Sequence, residues 1–245
     1  MEVIPAIDLR DGRCVRLYQG DYGKETVFSD DLVSVALRWQ SEGAGRLHLV
    51  DLDGAKQGEP CNLDAVEKIV RTVQIPTELG GGIRDLETIA RLLGLGVGRA
   101  ILGTIAIERP ELVEEACSKY GDQVVIGIDA RDGWVATRGW LEKSSIRAVD
   151  LAKQVVERGA RRIIYTDISR DGTLTSPNFE GAAEMVTAVD VPVVAAGGIA
   201  SVEHLIRLAN TGVEGAVVGK AIYTGDVKLA EALRSVAGRH ATNGS

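Results

Sequence analysis

Apolar residues along this chain come in short unbroken bursts, each followed by a longer stretch with helical spacing. Val3–Asp8, Leu47–Asp51, Ile75–Leu79, Ala100–Leu102, Val124–Asp129, Ile163–Asp167, Val193–Ala196 and Ala216–Val218 read as strands. Their apolar runs are continuous rather than alternating, as expected where both faces of a parallel sheet are covered. Between them, apolar positions recur every three or four residues. This predicts helices over Asp31–Gly43, Leu63–Val73, a stretch opened by Asp85, Glu108–Lys119, Ile146–Arg158, Glu180–Val189, Val202–Thr211 and Val227–Val236. Asn62 is placed to cap the second helix, and Gly43 to stop the first. Eight strand–helix units in 245 residues predict an α/β fold, a (β/α)8 TIM barrel, with an open doubly wound sheet as the alternative.

The pattern also repeats. Ile7-Asp8-Leu9-Arg10-Asp11-Gly12 returns 121 residues later as Ile128-Asp129-Ala130-Arg131-Asp132-Gly133. From Asp51 onward a constant shift of 116 carries Asp51 to Asp167, Gly81-Gly82-Ile83 to Gly197-Gly198-Ile199, and Gly103 to Gly219. Such a repeat marks an internal duplication. It divides one barrel domain over residues 1–238 into half-barrels of about 1–121 and 122–238, with 239–245 as a frayed tail. Two four-stranded halves leave open edges that pairing removes, which favours closure.

Composition changes this picture little: 45% hydrophobic and 26% charged residues describe an ordinary globular chain. No run approaches the roughly 18 apolar residues of a membrane helix, and the chain enters a strand at once, so neither a membrane span nor a signal peptide is expected. A net charge of −7 argues against a nucleic-acid partner. Three cysteines, odd in number and without metal-site spacing, favour a reducing cytoplasm. A core of this size is enough for a monomer.

In a (β/α)8 barrel, chemistry sits where strands end and loops begin. Asp8, Asp51, Asp129 and Asp167 all fall there. Strands 1 and 5 are opposite in the ring, so Asp8 and Asp129 should face each other and could divide acid and base work. Asp11-Gly12 and Asp132-Gly133 read as turn chemistry. Asp51 and Asp167 are open between loop anchoring and substrate contact. The loops Gly81-Gly82 with Gly103-Thr104, and Gly197-Gly198 with Gly219-Lys220, read as two phosphate cradles, where backbone N–H groups and helix N-termini converge on an anion, with tight packing as the other reason for glycine there. A phosphate at each end of one substrate follows. Arg84 could assist the first phosphate or sit in solvent. Thr166 could hydrogen-bond substrate, and Asp171 and Gly172 lie in a polar loop after strand 6. Trp140, next to Arg138, could stack on an aromatic ligand or pack its own loop. The segment Leu9–Asp30, with Gly20, reads as a long lid loop. His48 could line the mouth, while His204 and His240 do not converge with it on a metal site.

Taken together, Ile4-Pro-Ala-Ile-Asp8-Leu, Arg16-Leu-Tyr-Gln-Gly20, His48-Leu-Val-Asp-Leu-Asp-Gly-Ala55, Gly80-Gly-Gly-Ile-Arg84, Thr137-Arg-Gly-Trp140 and Thr166-Asp-Ile-Ser-Arg-Asp-Gly-Thr173 resemble the phosphoribosylformimino-aminoimidazole carboxamide ribotide isomerase family of histidine biosynthesis. The resemblance implies a half-barrel-duplicated (β/α)8 enzyme and an Amadori rearrangement of an aminoaldose ribotide carrying two phosphates. It implies Asp129 as general acid for ring opening and Asp8 as general base at C2′. Thr166 and Asp171 would hold substrate and position the acid, with Trp140 covering the aminoimidazole. No metal, nucleotide or flavin is implied. Three alternatives share the frame: a bifunctional isomerase that also accepts phosphoribosylanthranilate, the sister cyclase that works with a glutaminase, and a phosphosugar-binding barrel without turnover. The cyclase is disfavoured by Gln19-Gly20 and Asp51–Ala55, where that lyase has Lys-Gly and a Ser/Thr-rich strand end.

Overall fold

The structure, a computed structural model, describes residues 1–137, 139–140 and 142–237. Twelve strands form one sheet: β1 (Glu2–Arg10), β2 (Arg13–Tyr18), β3 (Asp21–Ser29), β4 (Leu47–Asp51), β5 (Thr77–Gly80), β6 (Arg99–Leu102), β7 (Val124–Arg131), β8 (Trp134–Thr137), β9 (Glu142–Arg147), β10 (Ile163–Asp167), β11 (Val193–Ala196) and β12 (Gly215–Val218). Eight of them close a parallel ring in the order β1-β4-β5-β6-β7-β10-β11-β12, with β12 returning to β1 in the register Ile4↔Val217. The chain is therefore a (β/α)8 barrel. Closure excludes the open sheet.

The other four strands correct the lid reading. Residues 9–30 are not a loop: β1 runs on past Asp8 to Arg10 and turns through Asp11-Gly12 into the antiparallel pair β2–β3. In the second half β7 turns through Asp132-Gly133 into β8, which pairs with β9. All four turn residues have positive φ, between 48° and 76°. That is the two-residue hairpin turn that Asp-Gly favours, so the turn reading of Asp11 and Asp132 holds. β9 also delays the helix expected from Ile146, which starts at Ala148.

The helices otherwise follow the apolar spacing, and polar caps set where they start. Asp31 accepts from Ser34 N, Asp85 from Thr88 N, and Ser201 from His204 N. Each cap satisfies a donor that the first turn leaves free. The helix expected over Glu108–Lys119 runs Pro110–Tyr120, with the proline in its first turn ending the separate short helix Ile105–Glu108 ahead of it. Two short helices, Leu52–Gln57 and Lys220–Thr224, were not expected.

Side chains alternate along each barrel strand. Val3, Ile7 and Leu9 of β1 join the layer between sheet and helices, while Ile4 and Ala6 point inward. The inward set, with Ile101, Val125, Ile164, Val194 and Val217, forms an apolar plug. Ion pairs lie at and near the strands' N-terminal ends: Arg162 with Glu214 at 2.5 and 2.8 Å, Arg46 with Glu2 at 3.6 Å, and Arg99 with buried Glu78 at 3.6 Å. The plug leaves a cavity at the opposite end, where the strands finish.

Candidate active site

β1 and β7 are four strands apart either way round the ring, so Asp8 and Asp129 lie on opposite walls of the cavity, and both line it. Each is the next inward residue above the plug, after Ala6 and Gly127. Their surroundings differ. Asp8 Oδ1 accepts from Arg16 Nη1 at 2.8 Å, and the same guanidinium donates to the carbonyl of Ala6. Burial pushes the Asp8 carboxyl up, against the opposing charges of Arg16 and His48. Asp129 has neutral donors: Trp140 Nε1 at 2.8 Å and the Thr166 hydroxyl. Burial raises it too, with those hydrogen bonds and the charge of His48 opposing.

Arg16 is a site residue that the residue-by-residue reading passed over. It stands on β2, in what looked like a loop, and only the antiparallel pairing of β2 with β1 brings it beside Asp8. Once β2 is recognised as a strand, the Asp-Gly turn and the alternation through Cys14, Arg16 and Tyr18 give the signal. Gly219 packs against the guanidinium, and Tyr223 lies beneath it with its ring 5.3 Å away.

Asp171 completes a third side. Burial, and then the charge of Asp8, push its carboxyl up to about 6, with Arg16 opposing. Its loop is tied to the first hairpin: Gln19 N donates to Asp171 O at 3.1 Å, and Gln19 Nε2 to Ser169 O at 2.5 Å. A Cβ on Gly172 would meet the Leu17 carbonyl, so glycine permits this contact. His48 lines the same cavity and holds Glu78 Oε1 at 2.8 Å through Nδ1.

Asp51 and Asp167 separate cleanly from this group. Asp51 is fully buried and accepts from the backbone N–H groups of Gly54, Cys61 and Asn62 and from Asn62 Nδ2. Asp167 accepts from Ser169 and from Asn178 Nδ2. Both are loop anchors, each bound to an asparagine eleven residues on. Asn62 stands at the N-cap position as expected, but its side chain makes no cap bond and is spent on Asp51, Asp53 and Gly12 N.

The glycine loops flank the carboxylates on opposite sides. Gly81, Gly82, Arg84, Gly103 and Thr104 line the main cavity. Gly172, Gly197, Gly198, Gly219 and Lys220 line a smaller pocket that shares Ala6, Arg16, Asp171, Ala196 and Val217 with it. The cleft is thus continuous from one glycine loop to the other. Gly81, Gly82, Gly197 and Gly198 all have positive φ, and a Cβ on any of them would strike backbone: Asp51 O, Glu59 C, Asp167 O and Ser176 O respectively. Packing therefore demands these glycines before any ligand does. Gly103 is different, since a Cβ there meets nothing within 4 Å. Arg84 stands on the rim, half-exposed, with Glu108 3.8 Å away. Lys220 Nζ donates to Gly172 O at 3.3 Å.

Trp140 does not simply pack its own hairpin. Its ring rests on Gly20 of the other hairpin while its N–H reaches Asp129, joining the two hairpins over the mouth. It pays for this with φ of 71°, a conformation that costs a bulky residue about 1–3 kcal/mol and persists only where contacts enforce it. Arg138 and His240 lie outside the described residues. His204 accepts from Ala200 N, just ahead of its own helix, and is not among the residues that line the cavity. No helix among the described residues is long and apolar enough to cross a membrane.

Comparison with known proteins adds a second line. Residues 2–228 match the family model described as "Histidine biosynthesis protein". A protein of Acaryochloris marina is 58% identical over 96% of this chain and 93% of its own length. One from Chloroflexus aurantiacus is 56% identical over 99% of this chain and all of its own, and one from Dehalococcoides mccartyi is 55% identical over 96% and 97%. All three are named as the isomerase of a phosphoribosyl-(phosphoribosylamino)methylideneamino imidazole-4-carboxamide.

Proposed function

The chain belongs to the histidine biosynthesis protein family, and from that membership we propose that it is the aldose–ketose isomerase its relatives are named for. The substrate is a ribotide with a phosphoribosyl group at each end, and the reaction is an Amadori rearrangement from aminoaldose to aminoketose. The observation that carries this is the pair of facing carboxyls in unlike surroundings, set in a cleft with a glycine loop at either end. A doubly phosphorylated substrate fits that spacing.

The residue roles follow from what each carboxyl can do. A base must be ionised before it acts. Arg16 stabilises the ionised form of Asp8, which suits removal of the C2′ proton. An acid must arrive protonated, and among the described residues Asp129 is held by indole and hydroxyl donors rather than by a cation, which suits proton delivery to the ring oxygen on opening. Asp171, Thr166 and His48 hold the sugar between them. Gly81, Gly82, Gly103 and Thr104 take one phosphate, with Arg84 assisting from the rim. Gly172, Gly197, Gly198, Gly219 and Lys220 take the other. Proton movement needs no metal or organic cofactor, and a cytoplasmic monomer suffices.

The test is a spectrophotometric turnover assay on the imidazole ribotide, beside a fluorescence assay on phosphoribosylanthranilate. Turnover of the first alone is expected. Binding without turnover of either would overturn the reading, and turnover of both would widen it to a bifunctional enzyme.

A further inference from the structure

Glu78 is a buried acid that no step above uses. It lies on β5, 1% exposed and outside the cavity lining, directly across the strand register from His48. Oε1 is 2.8 Å from His48 Nδ1, and Oε2 is 3.6 Å from Arg99 Nη1. An ionised carboxyl so deep is tolerated only with partners on both oxygens. Those contacts supply them. His48 itself reaches the cavity, and its charge bears on Asp8, Asp129 and Asp171 together. With Nδ1 tied to Glu78, Nε2 is the nitrogen left for the cleft.

We propose that Glu78 is a positioning residue for the isomerisation, accepting the Nδ1 proton of His48 and so fixing the tautomer and orientation in which Nε2 meets the substrate between the two aspartates. The kinetic part of this rests on the isomerase reading; the tautomer does not. A carboxylate behind a histidine fixes which ring nitrogen carries the proton, and its loss misdirects the ring. The charged groups around the dyad are Glu78 from β5, Asp8 from β1, Asp129 from β7 and Asp171 from the loop after β10. Arg99 on β6 and Arg46 just ahead of β4 act on the glutamate. A glutamate serving only the charged layer could bind Arg99 without touching the ring. Glu78 does both.

The first test is a nitrogen-15 imidazole spectrum of the full-length protein, in which only His48, His204 and His240 contribute and His48 is assigned by His48→Ala. A proton on Nδ1 of His48 at neutral pH is expected. A ring protonated on Nε2 alone would overturn the proposal whether or not the protein turns over substrate, and it requires no variant of Glu78 to fold. The second test is a kinetic cycle. Glu78→Gln is expected to lower kcat about 10–100-fold, with KM changed by less than about twofold. In the His48→Ala background it should change nothing further. Losses that multiply in the double variant would show that Glu78 acts on the barrel floor rather than through His48. Wild-type protein that lacks turnover yet shows the Nδ1 proton would count against the isomerase reading and leave the dyad standing.

Discussion

In the first half of the barrel Asp8 meets a guanidinium at 2.8 Å; in the second, Asp129 meets an indole N–H at the same distance. Much else about the halves matches. Each first strand continues through an Asp-Gly turn into a hairpin. Each second strand ends in an aspartate bound to an asparagine eleven residues on. Each third strand ends in a positive-φ glycine pair packed on that neighbouring loop. The frame is repeated, and the difference lies in the hairpins that rise from it. The first sends back Arg16 from a strand; the second sends Trp140 from its tip. One repeated carboxyl position thereby acquires two electrostatic settings, one that favours its ionised form and one with neutral partners. That is what acid–base chemistry needs from a pair of carboxylates.

The largest effects should come from removing that difference. Asp8→Asn and Asp129→Asn are each expected to cut turnover by at least about 10²-fold. They should differ in stability. Asp8→Asn leaves Arg16 buried without its counter-charge, costing about 3 kcal/mol, whereas Asp129→Asn keeps a side chain that can still accept from Trp140. Equal stability losses by thermal unfolding, or near-normal turnover from either, would break the comparison.

The glycine loops sharpen it next. Gly81→Val and Gly198→Val place a Cβ into backbone at positive φ and are expected to cost about 2–4 kcal/mol, with weakened substrate binding besides. Gly103→Ala has room for its methyl, so it should leave the melting temperature within about 2 °C and act on KM alone. A Gly103→Ala variant with an unchanged KM would argue against a phosphate at that loop.

Asp171→Asn should change stability with the opposite sign. A carboxyl raised to about 6 binds its proton more tightly folded than unfolded, so its contribution falls as pH rises from about 4 through about 6. Above that window it is a net cost. The asparagine variant should therefore be more stable at pH 8 by about 1–2 kcal/mol, and near wild type at pH 4. Denaturant titration at the two pH values checks both the sign and the window.

The apolar bursts located all eight barrel strands, because strands covered on both faces carry their signature in composition alone. Opposition of Asp8 and Asp129 followed from counting strands. What spacing hid was contact made by the hairpins. Arg16 faces Asp8 only because β2 folds back on β1, and Trp140 reaches Asp129 only by resting on Gly20 of the other hairpin. Position at the strand ends left Asp51 and Asp167 open between anchoring and substrate contact. Only their hydrogen-bond partners, ten and more residues along the chain, reveal them as anchors. The glycine pairs were legible as glycines, with packing weighed behind phosphate binding; the backbone they press against puts packing first.

The most direct measurement is a carbon-13 titration of the side-chain carboxyls in the wild-type protein, with the Asp8 and Asp129 resonances assigned from the two asparagine variants. Asp129 is expected to hold its proton to a higher pH than Asp8, since Arg16 stabilises only the latter's charge. The reverse order, or coincident curves, would contradict a division of labour between the two halves.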